Sequence, residues 1–130
     1  MVKSNLVDSN IYIRMLRNGL DPVINLGSRA KENDLVTCGM VRMEVLRGNK
    51  NQDVGLGVEK MFDLMIHIPT RNLLWENTSQ LAWQLDRKGL VLPAQDILIA
   101  CCARQVGAAV MTSNRHFRSI PELEVIDDPS

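Results

Sequence analysis

The sequence predicts one α/β domain with three layers, in which helices cover both faces of a mainly parallel sheet. At 130 residues the chain is long enough for one domain with a full core and too short for two. Short apolar runs alternate with segments of helical periodicity, a pattern typical of parallel strands joined by helices. Because no repeat or linker interrupts this alternation, we expect a single domain over residues 1–126 and a loose tail over 127–130.

The first half of the chain contains two strand–helix units. A strand within "NLVDS" is followed at once by a helix, "NIYIRMLRNG", in which Ile11, Met15 and Leu16 share a face. In "DPVINLGSRAKEND", Asp21 and Pro22 have the residue types of an N-cap and a first helical position, so this segment is predicted to be helical. The strand "LVTCG" and the short helix "MVRMEVLRG" complete this half.

The second half begins with "DVGLGVEKMFDLMIHI", predicted as a helix whose tail becomes a short strand. Thr70 is predicted to cap a long helix that carries an apolar stripe of Leu74, Leu81 and Leu85 and ends at Gly89. A further helix, "LPAQDILIACCARQVG", precedes a strand in "AAVMTSN". The last predicted strand is "LEVI".

The composition excludes several classes of function. Lysine plus arginine equals aspartate plus glutamate, at 15 each, so the net charge attracts neither nucleic acid nor membrane over the whole surface. Aromatic residues make up 4%, too few for a platform on which single-stranded bases stack. No apolar run approaches the roughly 20 residues of a membrane span. The three cysteines lack metal-ligand spacing and no secretory signal is evident, so we expect buried thiols, a cytoplasmic protein and no membrane.

Two polar residues stand where predicted strands end. Asp8 follows the first strand and Asn114 follows "AVMT". The carboxyl ends of parallel strands meet at one edge of a sheet, where α/β proteins bind their ligands. Asp8 alone supports two interpretations, a helix cap or a member of a site at this edge.

Two further carboxylates are predicted near the same edge. Glu44 lies in the helix after the second strand, where a solvent-exposed helix position would also explain it. Asp96 lies in the first turn of an apolar helix, where the helix dipole alone favours it by ~0.3–1 kcal/mol. Together with Asp8 they would repel one another unless a cation neutralised them. Oxygen ligands favour Mg²⁺ or Mn²⁺, an ion that polarises phosphate and activates water for phosphodiester cleavage.

The order and spacing of four segments resemble the PIN-domain family, with the closest likeness to the VapC-type toxins of bacterial and archaeal toxin–antitoxin pairs. These segments, which cover nearly the whole chain, are "LVDSNIYI", "VTCGMVRMEVLRG", "LPAQDILIACCARQVGAAVMTSNRHF" and "IPELEVI". The resemblance implies a PIN-like α/β/α fold and a metal-dependent endoribonuclease whose catalytic and metal-binding acids are Asp8, Glu44 and Asp96. It also implies an RNA substrate, a small antitoxin partner and a homodimer.

The chain departs from the family pattern at the fourth metal position, which is usually acidic. Thr112 is followed by Asn114 and His116, so this position is neutral here. We expect Asn114 to contribute a weak, uncharged metal ligand, which favours one ion over two and lowers metal affinity. Supporting or substrate-binding roles around the acids are expected for Ser9, Asn10, Arg14, Thr112 and His116.

Two other functions compete with the nuclease. The neutral Asn114 and the zero net charge also suit a PIN-fold module that binds RNA or protein and has little or no catalytic activity. A phosphotransfer receiver domain also clusters acids, but it needs a lysine near its last strand, and no lysine follows Lys88. Outside the acidic cluster, His67, Trp75 and Trp83 are interpreted as packing residues, and a local basic rim for RNA could come from Arg42, Arg47, Arg104 and Arg115.

Overall fold

A five-stranded sheet in which every pairing is parallel forms the centre of the molecule. The computed structural model describes residues 3–127. Its strands are β1 Ser4–Val7, β2 Asp34–Cys38, β3 Ile66–Ile68, β4 Ala109–Met111 and β5 Val125–Ile126. Their order across the sheet is β3-β2-β1-β4-β5, which confirms the predicted parallel α/β architecture. Of the tail predicted over 127–130, residues 128–130 lie outside the described residues.

Seven α-helices and one short 3₁₀ helix are found within the described part of the chain. The α-helices are α1 Ser9–Arg17, α2 Pro22–Asn25, α3 Gly27–Glu32, α4 Gly39–Gly48, α5 Gln52–Asp63, α6 Asn72–Arg87 and α7 Ala94–Val106, and the 3₁₀ helix spans Arg115–Ser119. Helix α1 contacts α4, and α6 packs against α7. Because parallel crossovers are right-handed, the reversal of direction after β3 places these two pairs on opposite faces of the sheet. No helix between residues 3 and 127 combines the length and apolarity needed to cross a bilayer.

The burial pattern of the helices follows their predicted periodicity. On α6 the buried side chains include Leu74, Leu81 and Leu85, the predicted stripe. Helix α7 is different, because all seven residues over 97–103 are buried, as expected for a helix enclosed on all sides. Gly107 ends α7 with φ +68°, a conformation that favours glycine. All three cysteines are free and buried, as predicted.

The structure differs from the sequence predictions at three places. The segment "DPVINLGSRAKEND" forms two short helices because the chain bends at Leu26, whose side chain is buried in the core. Thr70 does not cap α6, since the N-cap residue is Arg71 and no side chain bonds to the first turn. The 3₁₀ helix after Asn114 is not predicted from the sequence; it forms because Phe117 is buried there while Asn114 caps its start.

The topology brings the ends of two strands together at the centre of the sheet. From β1 the chain winds outward through β2 to β3, then returns to β4 on the other side of β1. Val7 is paired with Met111, and the Asp8 N–H donates to the Met111 carbonyl oxygen at 2.9 Å. Asp8 therefore lies at the switch point of the sheet, where parallel α/β folds bind ligands.

Candidate active site

Asp8 stands between β1 and α1 and is nearly inaccessible, with 1% of its surface exposed. Its backbone is extended, as an N-cap requires. Its side chain makes no hydrogen bond of capping geometry, although the N–H groups of Ser9 and Asn10 lie close enough to favour the ionised carboxyl. The Thr112 hydroxyl instead donates to Oδ2 at 2.8 Å, and the Ser9 hydroxyl lies 3.4 Å from Oδ1. Burial raises the pKa of the Asp8 carboxyl, although these hydroxyls and the backbone N–H groups of Ser9 and Asn10 oppose the rise.

Glu44, in the middle of α4, lies on the other side of the Ser9 hydroxyl from Asp8. Its Oε1 lies 3.2 Å from the Ser9 hydroxyl, so one hydroxyl with a single proton stands between Glu44 and Asp8. Burial raises the pKa of the half-buried Glu44, the Ser9 hydrogen bond lowers it, and the charges of Asp8 and Asp96 raise it further. The three predicted acids are therefore close enough to repel one another.

Asp96 lies in the first turn of α7 with 15% of its side chain exposed. The side-chain amide of Asn114 donates to its Oδ2 at 3.2 Å, and the His116 Nδ1 atom lies 4.0 Å from the same oxygen. Burial is the main cause that raises the Asp96 pKa, and the charge of Asp8 adds to it. His116 and Asn114 act in the opposite direction and stabilise the ionised form.

Asn114 connects the 3₁₀ helix to the acids. Its Oδ1 accepts the His116 N–H at 3.0 Å, which caps the 3₁₀ helix. Its own N–H donates to the Thr112 hydroxyl oxygen at 2.9 Å, and its amide donates to Asp96. The structure thus places Asn114 beside the predicted acids, with its carbonyl oxygen already bonded to the backbone.

The suitability of this cluster for a divalent cation depends on spacing and on donor chemistry. Within residues 3–127, no three histidine, cysteine, aspartate or glutamate side chains converge closely enough to hold one metal ion. The donors are nevertheless all oxygens, and the pKa of each of the three carboxyls is raised. In many proteins Mg²⁺ keeps several of its water ligands and is coordinated by only one or two carboxylates. The donor set therefore fits a hydrated hard cation, without a preformed three-ligand cage.

The outer candidates lie around this cluster. Asn10 is exposed on α1, and 54% of the His116 side chain is exposed. The Arg14 guanidinium donates through Nη1 to the Ser113 hydroxyl at 3.3 Å, which joins α1 to the loop after β4. Sequence reasoning did not single out Ser113, and its place between two candidate residues was the only signal for it.

The predicted basic rim is only partly available for RNA. Arg42 forms an ion pair with Asp63 at 2.8 Å, with Glu59 at 3.9 Å, and Arg104 lies 3.3 Å from Glu122. Arg47 and Arg115 are exposed.

The other residues interpreted as packing residues have mixed outcomes. His67 bonds through Nε2 to the Phe62 carbonyl oxygen at 2.8 Å, which agrees with a structural role. Trp75 and Trp83 are exposed on α6 and lie outside the core.

Comparison with known proteins supports the fold over nearly its whole length. The family model described as "PIN domain" matches residues 6–123. No curated protein sequence matches this chain significantly.

Several solved structures share the fold at low sequence identity. A VapBC2 structure from Rickettsia felis, bound to a DNA fragment from its promoter, contains a chain of 24% identity and TM-score 0.77, with 95% of this chain and 98% of that chain covered. A VapBC-1 structure from nontypeable Haemophilus influenzae gives 20% identity and TM-score 0.78, with 95% and 97% covered. A DNA-bound VapBC structure from Salmonella typhimurium gives 25% identity and TM-score 0.76, with 98% of both chains covered.

Proposed function

This chain belongs to the PIN domain family, and from that premise we propose that it is a metal-dependent endoribonuclease, the toxin of a type II toxin–antitoxin pair. The observation that carries the proposal is the meeting of Asp8, Glu44 and Asp96 at the switch point of the sheet, where burial raises the pKa of all three carboxyls and neighbouring negative charges raise those of Glu44 and Asp96 further. Such a cluster of like charges is costly unless a cation or a proton neutralises it. We place this activity in the cytoplasm.

In this proposal Asp8, Glu44 and Asp96 would hold Mg²⁺ or Mn²⁺, directly or through the waters that the ion keeps, beside an RNA phosphodiester. When bound, such an ion supplies polarisation of the phosphate and activation of water. Ser9 and Thr112 orient the acids through the hydroxyl contacts described above.

Three residues at the rim of the site would contact the RNA. These are Asn10, Arg14 and His116, all exposed side chains around the carboxylates. An arginine or a protonated histidine there would pair with phosphate oxygens. These contacts would hold the substrate beside the acids and leave the acids themselves free to bind the ion.

The direct test is incubation of the purified protein with total RNA in millimolar Mn²⁺, in Mg²⁺ and in EDTA. We expect discrete fragments with either ion and none in EDTA, together with growth arrest when the protein is expressed alone. Intact RNA under all three conditions, from a protein that circular dichroism shows to be folded, would contradict the nuclease.

We further propose a small antitoxin as the protein partner, because three of the structures that share this fold are VapBC structures. An exposed apolar surface, which suits a protein partner, runs from the start of α2 to α5 and β3 and includes Leu20, Val23, Val54, Leu64 and Ile66. Co-expression with the product of a short neighbouring reading frame should relieve growth arrest and yield a co-purifying complex. Charged substitutions at Val23 and Leu64 should weaken that complex.

A homodimer is also proposed, with the exposed Trp75 and Trp83 of α6 as its first candidate contacts. A two-fold pair would place two acidic sites in one assembly, which suits a long RNA. Sedimentation at micromolar concentration should give twice the chain mass of 14.6 kDa. A single species of 14.6 kDa would exclude the dimer.

The second candidate function is a PIN-fold module that binds RNA or protein without useful catalysis. The neutral Asn114 and the lack of three convergent metal ligands among the described residues favour it. It predicts RNA retention in a gel-shift assay with no cleavage in either ion. Cleavage that disappears in Asp8→Asn would exclude this alternative.

A further inference from the structure

A chain of three hydrogen bonds runs from one proposed metal-binding carboxylate to another. The Asn114 side-chain amide donates to Asp96 Oδ2 at 3.2 Å, and the Asn114 N–H donates to the Thr112 hydroxyl oxygen at 2.9 Å. The Thr112 hydroxyl then donates to Asp8 Oδ2 at 2.8 Å. Asp8 and Asp96 belong to different elements, so this chain couples the end of β1 to the start of α7 through a single loop.

The Asn114 side chain uses both of its functional groups in this arrangement. Its carbonyl oxygen accepts the His116 N–H at 3.0 Å, so that oxygen already has a backbone partner. Its amide faces a carboxylate, a pairing in which the nitrogen must donate. An aspartate in its place could still accept the His116 N–H, but it would have no donor for Asp96 and would add a like charge beside it.

We infer that Asn114 is a positioning residue rather than a metal ligand: its side-chain amide holds Asp96 in a fixed orientation. The contact with Thr112, and through it with Asp8, uses the backbone N–H of residue 114 and does not depend on its side chain. The inference rests on the proposed function for the ion, whereas the hydrogen bonds themselves belong to the metal-free chain. A residue of this kind affects metal affinity through the ligands that it orients. Its loss typically weakens affinity about 10–100-fold rather than abolishing binding.

The first arm of the test needs no metal. In EDTA, urea unfolding of wild type, Asn114→Ala, Asp96→Ala and the double variant forms a double-mutant cycle. Asn114→Ala should shift the unfolding midpoint clearly less when Asp96 is already alanine, because the bond between them is then gone. Asn51→Ala is the matched control, since Asn51 caps α5 through its side chain and contacts no carboxylate of the cluster. Its effect should be the same with and without Asp96. Additive shifts for Asn114 would overturn the inference.

The second arm measures Mn²⁺ binding by calorimetry. Asn114→Ala should bind roughly 10–100-fold more weakly than wild type, and Asn51→Ala should bind as wild type does. In EDTA, Asn114→Asp should unfold at a lower urea concentration than wild type, because the donor to Asp96 is replaced by a like charge. Tighter Mn²⁺ binding by Asn114→Asp, with unchanged metal-free stability, would make residue 114 a ligand and overturn the inference. If wild type binds no Mn²⁺, the proposed function fails, and the metal-free cycle still decides the role of Asn114.

Discussion

Asp8 and Asp21 both stand at the residue before a helix, yet their side chains have different partners. Asp21 is exposed, and its Oδ1 accepts the N–H of Val23, two residues ahead, at 2.9 Å. Asp8 is 1% exposed and makes no capping bond to α1. One of its bonding partners is Thr112, which is 104 residues away along the chain.

The difference shows that the position before a helix does not decide what an aspartate does. Around Asp21 every interaction comes from the same turn, so local capping explains the residue completely. Around Asp8 the sheet brings a second strand end and two helix-borne carboxylates, Glu44 and Asp96. Burial there raises the pKa of Asp8, whereas a capping residue at the surface would remain in contact with water. Matched substitutions at the two aspartates therefore separate a site residue from a capping residue.

The largest expected effect is on RNA cleavage. Asp8→Asn should reduce the cleavage rate about 100-fold or more, the scale of losing one key electrostatic contact. Asp21→Asn should leave the rate unchanged, because Asp21 lies outside the acidic cluster. Cleavage of total RNA in Mn²⁺ measures both rates, and circular dichroism verifies that each variant is folded. Equal cleavage by wild type and Asp8→Asn would show that Asp8 is not a site residue.

Stabilisation by metal should show the next largest difference. A cation that binds only the folded state stabilises it by about 2.7 kcal/mol at a concentration 100 times its Kd. Mn²⁺ should therefore raise the Tm of wild type and of Asp21→Asn alike, and EDTA should reverse the rise. Asp8→Asn should lose most of it. A Tm that neither Mn²⁺ nor Mg²⁺ changes at millimolar concentration would count against the metal site.

The pH dependence of metal-free stability should show a smaller difference. The carboxyls of Asp8, Glu44 and Asp96 have raised pKa values in the folded chain, so the folded state binds more protons than the unfolded one above their ordinary values of 3.8 and 4.5. Their contribution to the free energy of unfolding therefore falls as the pH rises from about 4 towards neutrality.

The same two aspartates test this pH effect in EDTA. Asp8→Asn removes one of the three charges, so its stability relative to wild type should increase as the pH rises. Asp21→Asn is the matched control, because Asp21 is exposed and lies outside the cluster. Urea unfolding at several pH values measures both differences. If the difference in stability between Asp8→Asn and wild type does not change with pH, the pKa of Asp8 is not raised in the folded chain.

The smallest expected effect concerns capping. Asp21→Ala should lower the free energy of unfolding by about 1 kcal/mol. Asp21→Asn should lower it by only a few tenths of a kcal/mol, because asparagine caps about as well as aspartate. Urea unfolding in EDTA near pH 7 measures both. A loss in Asp21→Asn as large as in Asp21→Ala would mean that the charge of Asp21 matters more than its hydrogen bond to Val23.

Much of the fold could be predicted from the sequence because its signals are local. The buried stripe of α6, the Asp21–Pro22 helix start and the end of α7 at Gly107 depend on residues a few positions apart. The bend at Leu26 escaped prediction because it depends on which side chain the distant core accommodates. The same reason explains the 3₁₀ helix, which buries Phe117.

For the candidate site, too, the sequence predicted the local features and missed those that depend on tertiary contacts. The sequence by itself determined that the polar residues Asp8 and Asn114 follow strand ends and that three acids, Asp8, Glu44 and Asp96, match one family pattern. Only the tertiary structure decided that Thr112 bonds to Asp8, that Ser9 stands between two acids and that Asn114 donates to Asp96. Hydrogen-bond direction and burial depend on atoms brought together from distant parts of the chain, and a linear spacing carries no information about either.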